Sequence, residues 1–300
     1  MREKEHLNDS KKDNHQKGIK FLIGSGLAFS LMSVCVKAIG SEIPVSELIL
    51  ARAIISLIIT RILLYKKNIN PWGSQKGLLL LRGLFGTIAL FCIFKALTIL
   101  PIATATVIQY IYPTFTVICA YFILKEYILK RIIFSIFIGW VGIILVTQPE
   151  WTLNSNNVET LTAVAIALLG ALMTSLAYIC VRKLSAKENP LVIIYYFPLV
   201  SIPLSLPFII NNFVLPTGID WILIIGIGVF TQIGQLCITE GLRLIPAGQA
   251  TSLNYSQVIF ASIAGFFLFQ ESLTTEFYLG GLCVLTSTII SMSSKRSTQA

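Results

Sequence analysis

Read from Gly18 onward, the chain alternates between long apolar runs and short polar joints. A helix that crosses a bilayer needs roughly 20 mostly apolar residues. Ten stretches meet that length, at about 19–40, 44–65, 77–97, 101–124, 131–149, 160–181, 190–210, 219–241, 246–269 and 274–293. They are too long for barrel strands and lack a period of two, which excludes a transmembrane barrel. The pattern predicts an all-α integral membrane protein of ten transmembrane helices. Residues 1–18 form a hydrophilic tail that carries both histidines, His6 and His15. The tail is too short and polar to fold alone. With no apolar core of its own it reads as preceding a retained signal anchor rather than as a cleaved signal peptide.

Composition supports this. The chain is 55% apolar and 12% charged, with a mean hydropathy of +0.80, against about 25% charged residues in a soluble domain. A soluble enzyme, a disordered regulator and a nucleic-acid-binding module all fit poorly. The net charge of +9 belongs to topology instead. Lys and Arg gather on the cytoplasmic side of a membrane. With both termini cytoplasmic, 19 of the 23 fall on that side: the tail through Lys20, then Arg61, Lys66, Lys67, Lys76, Lys125, Lys130, Arg131, Arg182, Lys183, Lys187, Arg243, Lys295 and Arg296. Lys37 and Lys95 fall outside, and Arg52 and Arg82 lie within spans. The acids Glu42, Glu150, Glu159, Asp220, Glu271 and Glu276 mark the outer side.

The sequence also repeats itself. Shifted by 145 residues, segment 96–126 matches 241–271 at nine of 31 positions without a gap, pairing Pro101 with Pro246, Ala105 with Ala250, Thr106 with Thr251, Tyr110 with Tyr255 and Glu126 with Glu271. The same offset pairs Ser30 with Ser175, Cys35 with Cys180, Gly83 with Gly228 and Cys92 with Cys237. One offset serving distant segments points to a duplication of five spans, over 19–149 and 160–293, flanked by tails 1–18 and 294–300. Five is odd, so the copies enter the membrane in opposite senses. The loops agree, since Lys125, Lys130 and Arg131 correspond to Gln270, Thr275 and Glu276, and Lys66 and Lys67 to Asn211 and Asn212. Inverted repeats of this kind recur in secondary transporters, with the substrate near the midplane between them.

The run from Leu97-Thr98-Ile99-Leu100-Pro101 through Ala105-Thr106 to Tyr112-Pro113 and Lys125-Glu126 resembles the fourth-helix signature of the EamA family, within the drug/metabolite transporter superfamily. Leu242 to Pro246, Ala250-Thr251 and Gln270-Glu271 resemble its second copy, and Arg52 and Arg82-Gly83 are similar to family features. The resemblance covers Gly18 to Ser293. It implies ten helices, inverted repeats and transport of small metabolites, amino acids or related compounds among them. One departure is Val258 in the place of Pro113, which predicts that the second copy lacks the first copy's kink.

Candidate site residues follow from polarity within the spans. Thr106, Gln109, Tyr110 and Pro113 share one face of the fourth span, at i, i+3, i+4 and i+7, and Thr251, Asn254 and Tyr255 repeat that face in the ninth. Matched polar faces near the midplane would line a shared wet cavity, or else bond helix to helix. Gln232, Gln235 and Thr239 form a similar stripe on the eighth span, with the same two readings. Gln257 and Tyr178 are weaker candidates. Arg52, about eight residues into its span, either binds a substrate carboxylate or phosphate or holds neighbouring helices through their carbonyls. Arg82, nearer the cytoplasmic end, either joins the site or snorkels, and Lys37 and Lys95 snorkel.

Other features read as structural. Glu126 and Glu271 cap the helix that follows each loop. Trp72, Trp151 and Trp221 are interfacial anchors, and Tyr195 with Tyr196 fit the same belt. Pro101 and Pro246 open their spans, whereas Pro113, Pro198, Pro203 and Pro207 kink theirs. Gly26 with Ser30, and Ala167, Ala171 and Ser175, offer small faces for close packing. All six cysteines (Cys35, Cys92, Cys119, Cys180, Cys237, Cys283) lie inside spans as free thiols, with no metal spacing. No Walker-type loop, GxSxG or HExxH occurs. The expectation is a secondary transporter without cofactor. Its partners are a small anionic or zwitterionic solute and the lipid bilayer, with no nucleic acid, and its place is the plasma membrane, a bacterial inner membrane. A channel or a non-transporting receptor is the alternative.

Overall fold

The computed structural model describes residues 2–40, 43–97, 99–100, 102–147, 158–209, 213–270 and 275–293. Glu42, Pro101, Glu150, Trp151, Asn211, Asn212, Glu271, Lys295 and Arg296, all assigned roles above, lie outside these residues. The helices are α1 (Arg2–Ile39), α2 (Val45–Lys66), α3 (Lys76–Leu97), α4 (Ile102–Gln109), α5 (Tyr112–Cys119), α6 (Lys130–Thr147), α7 (Val158–Leu184), α8 (Pro190–Ser205), α9 (Asp220–Leu244), α10 (Ala247–Leu253), α11 (Ser256–Phe269) and α12 (Thr275–Ser293). No strand occurs among the described residues. Nine helical segments among them are long and apolar enough to cross a membrane. The remaining expected span, 131–149, corresponds to the 18 residues of α6.

Burial is distributed as lipid requires. Large apolar side chains such as Phe137, Phe267, Ile58 and Leu282 face outward, while Ser25, Thr60, Thr87, Ser135, Ser175, Ser201 and Thr239 are buried. In water that arrangement would be unstable; in hydrocarbon the outer apolar face costs nothing, and inner hydroxyls bond within their own helix, as Ser25 and Thr87 do, or across helices, as Ser135 does to Ser287. Ser30 Oγ donates to Gln257 O across the α1–α11 contact, where Gly26 leaves no room for a larger side chain.

The packing repeats when the two halves are exchanged. Under the 145-residue offset α1 to α6 correspond to α7 to α12. The α1–α9 contact recurs as α7–α3, α1–α11 as α7–α5, and α2–α9 as α8–α3, while α2–α8 and α6–α12 pair helices with their own counterparts. In the last pair, Ser135 lies opposite Ser287 and Gly142 opposite Gly280. Residue numbers rise along one helix as they fall along the other, so α6 and α12 run antiparallel.

Three expectations are corrected. The segment before Gly18 does not stand apart as an unfolded tail, because α1 begins at Arg2 and runs unbroken through it. No Pro or Gly interrupts residues 2–17, so a helix nucleated in the membrane can propagate outward. Second, the kink expected at Pro113 is present but is a full break: the fourth span is two helices, parted at Tyr110 and Ile111, with Pro113 in the first turn of α5. Third, the ninth span breaks equally, at Asn254 and Tyr255, despite Val258. There Thr251 Oγ1 bonds Ala247 O and Ser252 Oγ bonds Gln249 O. Such hydroxyls compete for the carbonyls of the preceding turn and bend a helix without proline. Pro198 and Pro203 do lie inside α8, and Pro207 sits in a short 3₁₀ turn beyond it.

Candidate functional site

Two guanidiniums share one aromatic ring inside the bundle. Arg52 of α2 and Arg82 of α3 both approach the Phe197 ring of α8, their Cζ atoms 5.6 and 4.9 Å from its centroid. Arg82 is 4% exposed, so it does not snorkel. Its Nη2 donates to Gln235 Oε1 of α9 at 2.9 Å, and its Nε and Nη1 have no partner. Arg52 is half-buried and touches Met32 Sδ at 3.9 Å, a weak contact, with Nε unpartnered. Its partners among the described residues are this sulfur and the ring, so it does not clasp helix carbonyls. No carboxylate pairs with either guanidinium among the described residues. Buried charge is costly in a bilayer unless something offsets it, and here the described residues supply an amide, a thioether sulfur and a π face.

A row of tyrosines drawn from both halves of the chain begins beside this pair. Tyr178 of α7 lies within electrostatic reach of Arg82. Its ring meets Tyr112 at 5.6 Å, Tyr112 meets Tyr110 at 6.2 Å, and Tyr110 meets Tyr255 at 6.0 Å. Tyr255 is fully buried, and Gly139 of α6 makes the room for its ring. The Tyr255 hydroxyl approaches the Trp140 indole N–H, but neither forms a hydrogen bond of normal geometry. Asn254 is buried beside Tyr112 with its Oδ1 unpartnered. Thr106 and Gln109 are half-buried.

The two predicted faces therefore meet, but they close on each other instead of lining an open cavity. The recess bounded by Val107, Tyr110, Trp140 and Ile143 is too tight to admit a ligand. Of the eighth-span stripe, Gln232 Oε1 accepts from Ser56 Oγ of α2, Gln235 accepts from Arg82, and Thr239 is buried without a partner. Gln232 and Gln235 bond helix to helix, and Gln235 does so at the arginine pair.

One end of the bundle is fastened by charges. Glu126 Oε1 accepts from Arg182 Nε at 2.8 Å, and its Oε2 accepts from Ala247 N at 2.9 Å. Arg182 Nη1 also donates to Leu242 O at 2.7 Å and Arg243 O at 2.9 Å. Glu126 thus caps a helix, but one in the other half of the chain rather than the next one along. At the same end Glu188 Oε1 accepts from Ser74 N, Ser74 Oγ and Gln75 N at 2.6–2.7 Å. Burial pushes the Glu188 pKa up, but the three hydrogen bonds outweigh it and hold the carboxyl below its ordinary 4.5. A depressed carboxylate stabilises the fold above its unfolded pKa and loses that contribution as pH falls through the folded value. Glu188→Gln should lower thermal stability by about 1–3 kcal/mol at neutral pH. It should also flatten the loss of stability below pH 4.5, which melting curves in detergent at several pH values would read. Tyr195 and Tyr196, expected in an interfacial belt, are buried, and Tyr196 donates to Trp72 O at 2.8 Å. Trp72 and Trp221 are half exposed, as anchors are.

Sequence reasoning missed Phe197, Ser56, Trp140 and the partners of Glu126. Phe197 lies within a continuous apolar run, where nothing distinguishes a ring facing arginine from one facing lipid.

Fold and site together define a polytopic membrane protein whose polar, cation-bearing interior is enclosed by an apolar exterior. The EamA-like transporter family matches the chain twice, over residues 16–148 and 161–293. The protein belongs to that family, and is a multi-pass membrane transporter, not an enzyme. It is 24% identical over 280 residues to the pseudopaline exporter CntI of Pseudomonas aeruginosa, covering 93% of this chain and 97% of that one. It is 29% identical over 285 residues to solute carrier family 35 member G1 of Mus musculus, covering 90% and 77%. It is 25% identical over 302 residues to the S-adenosylmethionine uptake transporter of Rickettsia prowazekii, covering 98% and 100%. A solved crystal structure superposes with a TM-score of 0.81 at 15% identity, covering 92% of this chain and 96% of that one, which is a likeness of fold.

Proposed function

We propose that the protein is a secondary transporter of small anionic or zwitterionic metabolites, amino acids or related compounds, across the plasma membrane by alternating access. The observation that carries this reading is the arginine pair. Two guanidiniums face one ring inside the membrane, with donors unspent and no carboxylate paired with them among the described residues. A solute carboxylate or phosphate would supply the missing countercharge, and the planar fork of arginine suits both. The tyrosine row and Asn254 would take the rest of the solute, once the two halves part. The antiparallel α6–α12 pair and the exchangeable packing support two inverted five-helix repeats, residues 19–149 and 160–293, as the halves that move. The loop charges support cytoplasmic termini. The relatives fit this range of solutes, since one is named for exporting pseudopaline and another for taking up S-adenosylmethionine.

Counterflow tests the reading. Proteoliposomes would be preloaded with unlabelled amino acids, di- and tricarboxylates or sugar phosphates and given the labelled counterparts. Saturable uptake from at least one anionic or zwitterionic pool, and none from a neutral sugar pool, is expected. Uptake of the neutral sugars alone would refute the anion assignment.

A further inference from the structure

Arg52 and Phe197 stand 145 residues apart, so they occupy the same position in the two repeats. They also touch, with the Arg52 Cζ 5.6 Å from the Phe197 ring centroid. A contact between corresponding positions maps onto itself when the halves are exchanged, and so lies on the axis that exchanges them. The packing around it keeps the same register. A Cβ added to Gly83 would meet Val200 Cγ2 at 2.8 Å, and one added to Gly228 would meet Ile55 Cγ2 at 2.5 Å. Gly83 corresponds to Gly228 and Ile55 to Val200. The α3–α8 and α9–α2 contacts are thus one contact used twice, three residues along from Phe197 in the first case and from Arg52 in the second.

The charges break this symmetry. Phe197 takes the place of the Arg52 guanidinium, and Ile227 that of Arg82. Both cations come from the first repeat, yet both bear on a ring from the second. Gly86 of α3 makes room for that ring, since a Cβ there would lie 3.0 Å from Phe197 Cδ2 and 3.4 Å from Arg82 Nη1. Phe197 is buried. An aromatic face attracts a cation most strongly where water is excluded. A guanidinium held by a ring keeps its N–H groups for another partner. Arg52 Nε and Arg82 Nε and Nη1 are in that condition. The ring gathers two like charges in one place and neutralises neither.

We infer that the anionic group of the solute binds on this axis, and that Phe197 is a positioning residue of the site, presenting Arg52 and Arg82 to the solute from the second repeat. The inference rests on the arginine pair and the inverted repeats of the proposed function, and adds to them a place and a residue. A group on the axis keeps corresponding neighbours whichever face is open, so one arginine pair serves both orientations of the carrier. The charge at this position can then come from either repeat.

The experiment exchanges the two residues. Counterflow would be read with whichever labelled pool the native protein takes up, of amino acids, di- and tricarboxylates, sugar phosphates or neutral sugars. Arg52→Phe removes one of two charges, and Phe197→Arg adds a third and removes the ring, so each alone should lower counterflow at least about tenfold. The double variant returns one charge and one ring to the axis. It should recover to within about fivefold of native, where independent losses would multiply to about 100-fold. In the empty protein Phe197→Arg should lower the melting temperature in detergent, and Arg52→Phe should raise it again in that background. A double variant no better than the poorer single one, in counterflow or in melting, would overturn the inference. Phe197→Leu keeps apolar bulk and loses the π face, and it reports even where Phe197→Arg does not fold. It should raise KM at least about fivefold with kcat and melting temperature little changed, and Phe197→Tyr should keep the native KM. A fall in kcat at unchanged KM, or a fall in melting temperature that accounts for the lost transport, would show a ring that only packs. The two readings fail separately. Uptake of neutral sugars alone by the native protein refutes the anion assignment, whereas a failed exchange in a protein that takes up anions refutes the site on the axis.

Discussion

Arg82→Gln should reduce counterflow of the accepted solute about 10²-fold or more while leaving the protein as stable as before, or more stable. The two halves of this expectation come from the same observation. Arg82 is nearly fully buried and, among the described residues, bonds the Gln235 amide and keeps Nε and Nη1 unpartnered. Truncating one partner of a buried charged hydrogen bond to a ligand costs about 2–5 kcal/mol, which is a factor of tens to thousands in binding. In the empty protein the same guanidinium is a liability, since an arginine at the centre of a membrane helix costs about 2.5–3.5 kcal/mol on insertion scales. Glutamine preserves a hydrogen bond toward Gln235 and removes the charge. If Arg82 were a structural strut, the variant would lose stability first and transport only in consequence. Melting in detergent and counterflow in proteoliposomes, measured on one preparation, separate the cases. A drop in melting temperature that accounts for the lost transport would remove Arg82 from the site. Arg82→Lys should recover only part of the activity, because a point charge cannot reproduce the fork beside Phe197.

The reach of the sequence can be judged from particular residues. Helix number and the family resemblance were legible because length and polarity alone define a span in lipid, and the 145-residue offset needs no structure to be seen. Arg52, Arg82, Gln235, Tyr110 and Tyr255 were legible as candidates because a polar group in an apolar run demands an explanation. What they touch was not. Gln235 and Arg82 belong to different repeats, and their bond depends on the fold bringing their side chains within reach rather than on spacing within either helix. The break at Asn254 was missed because proline was taken as the signal, whereas hydroxyls at Thr251 and Ser252 bend the chain there. Glu126 was assigned to the neighbouring helix in sequence. Its partners stand 56 and 121 residues away, a distance that only the fold closes.

The second large effect is expected where the two repeats meet through α6 and α12. These helices approach closely enough for backbone to touch backbone. A Cβ added to Gly280 would lie 2.7 Å from Gly142 O, and one added to Gly142 would lie 2.8 Å from Gly280 O. The next contact along is a reciprocal pair, Ser135 Oγ to Ser287 O at 2.8 Å and Ser287 Oγ to Ser135 O at 2.7 Å. Under the 145-residue offset Gly142 corresponds to Ser287 and Ser135 to Gly280, so the glycine contact and the serine contact exchange when the halves exchange. Small residues let membrane helices associate where lipid removes the ordinary hydrophobic drive. Overpacking such a contact costs about 1–3 kcal/mol, more where the obstacle is a carbonyl that cannot move. Gly280→Leu should therefore lower stability by about 3 kcal/mol and loosen both serine bonds. Gly281→Leu provides the control from the adjacent position. A Cβ there meets nothing within 4 Å, and exchanging glycine for leucine in a helix gains about 0.8–1 kcal/mol. Neighbouring substitutions on one helix should thus shift the melting temperature in opposite directions. Equal shifts would mean that α6 and α12 are not held by this close approach.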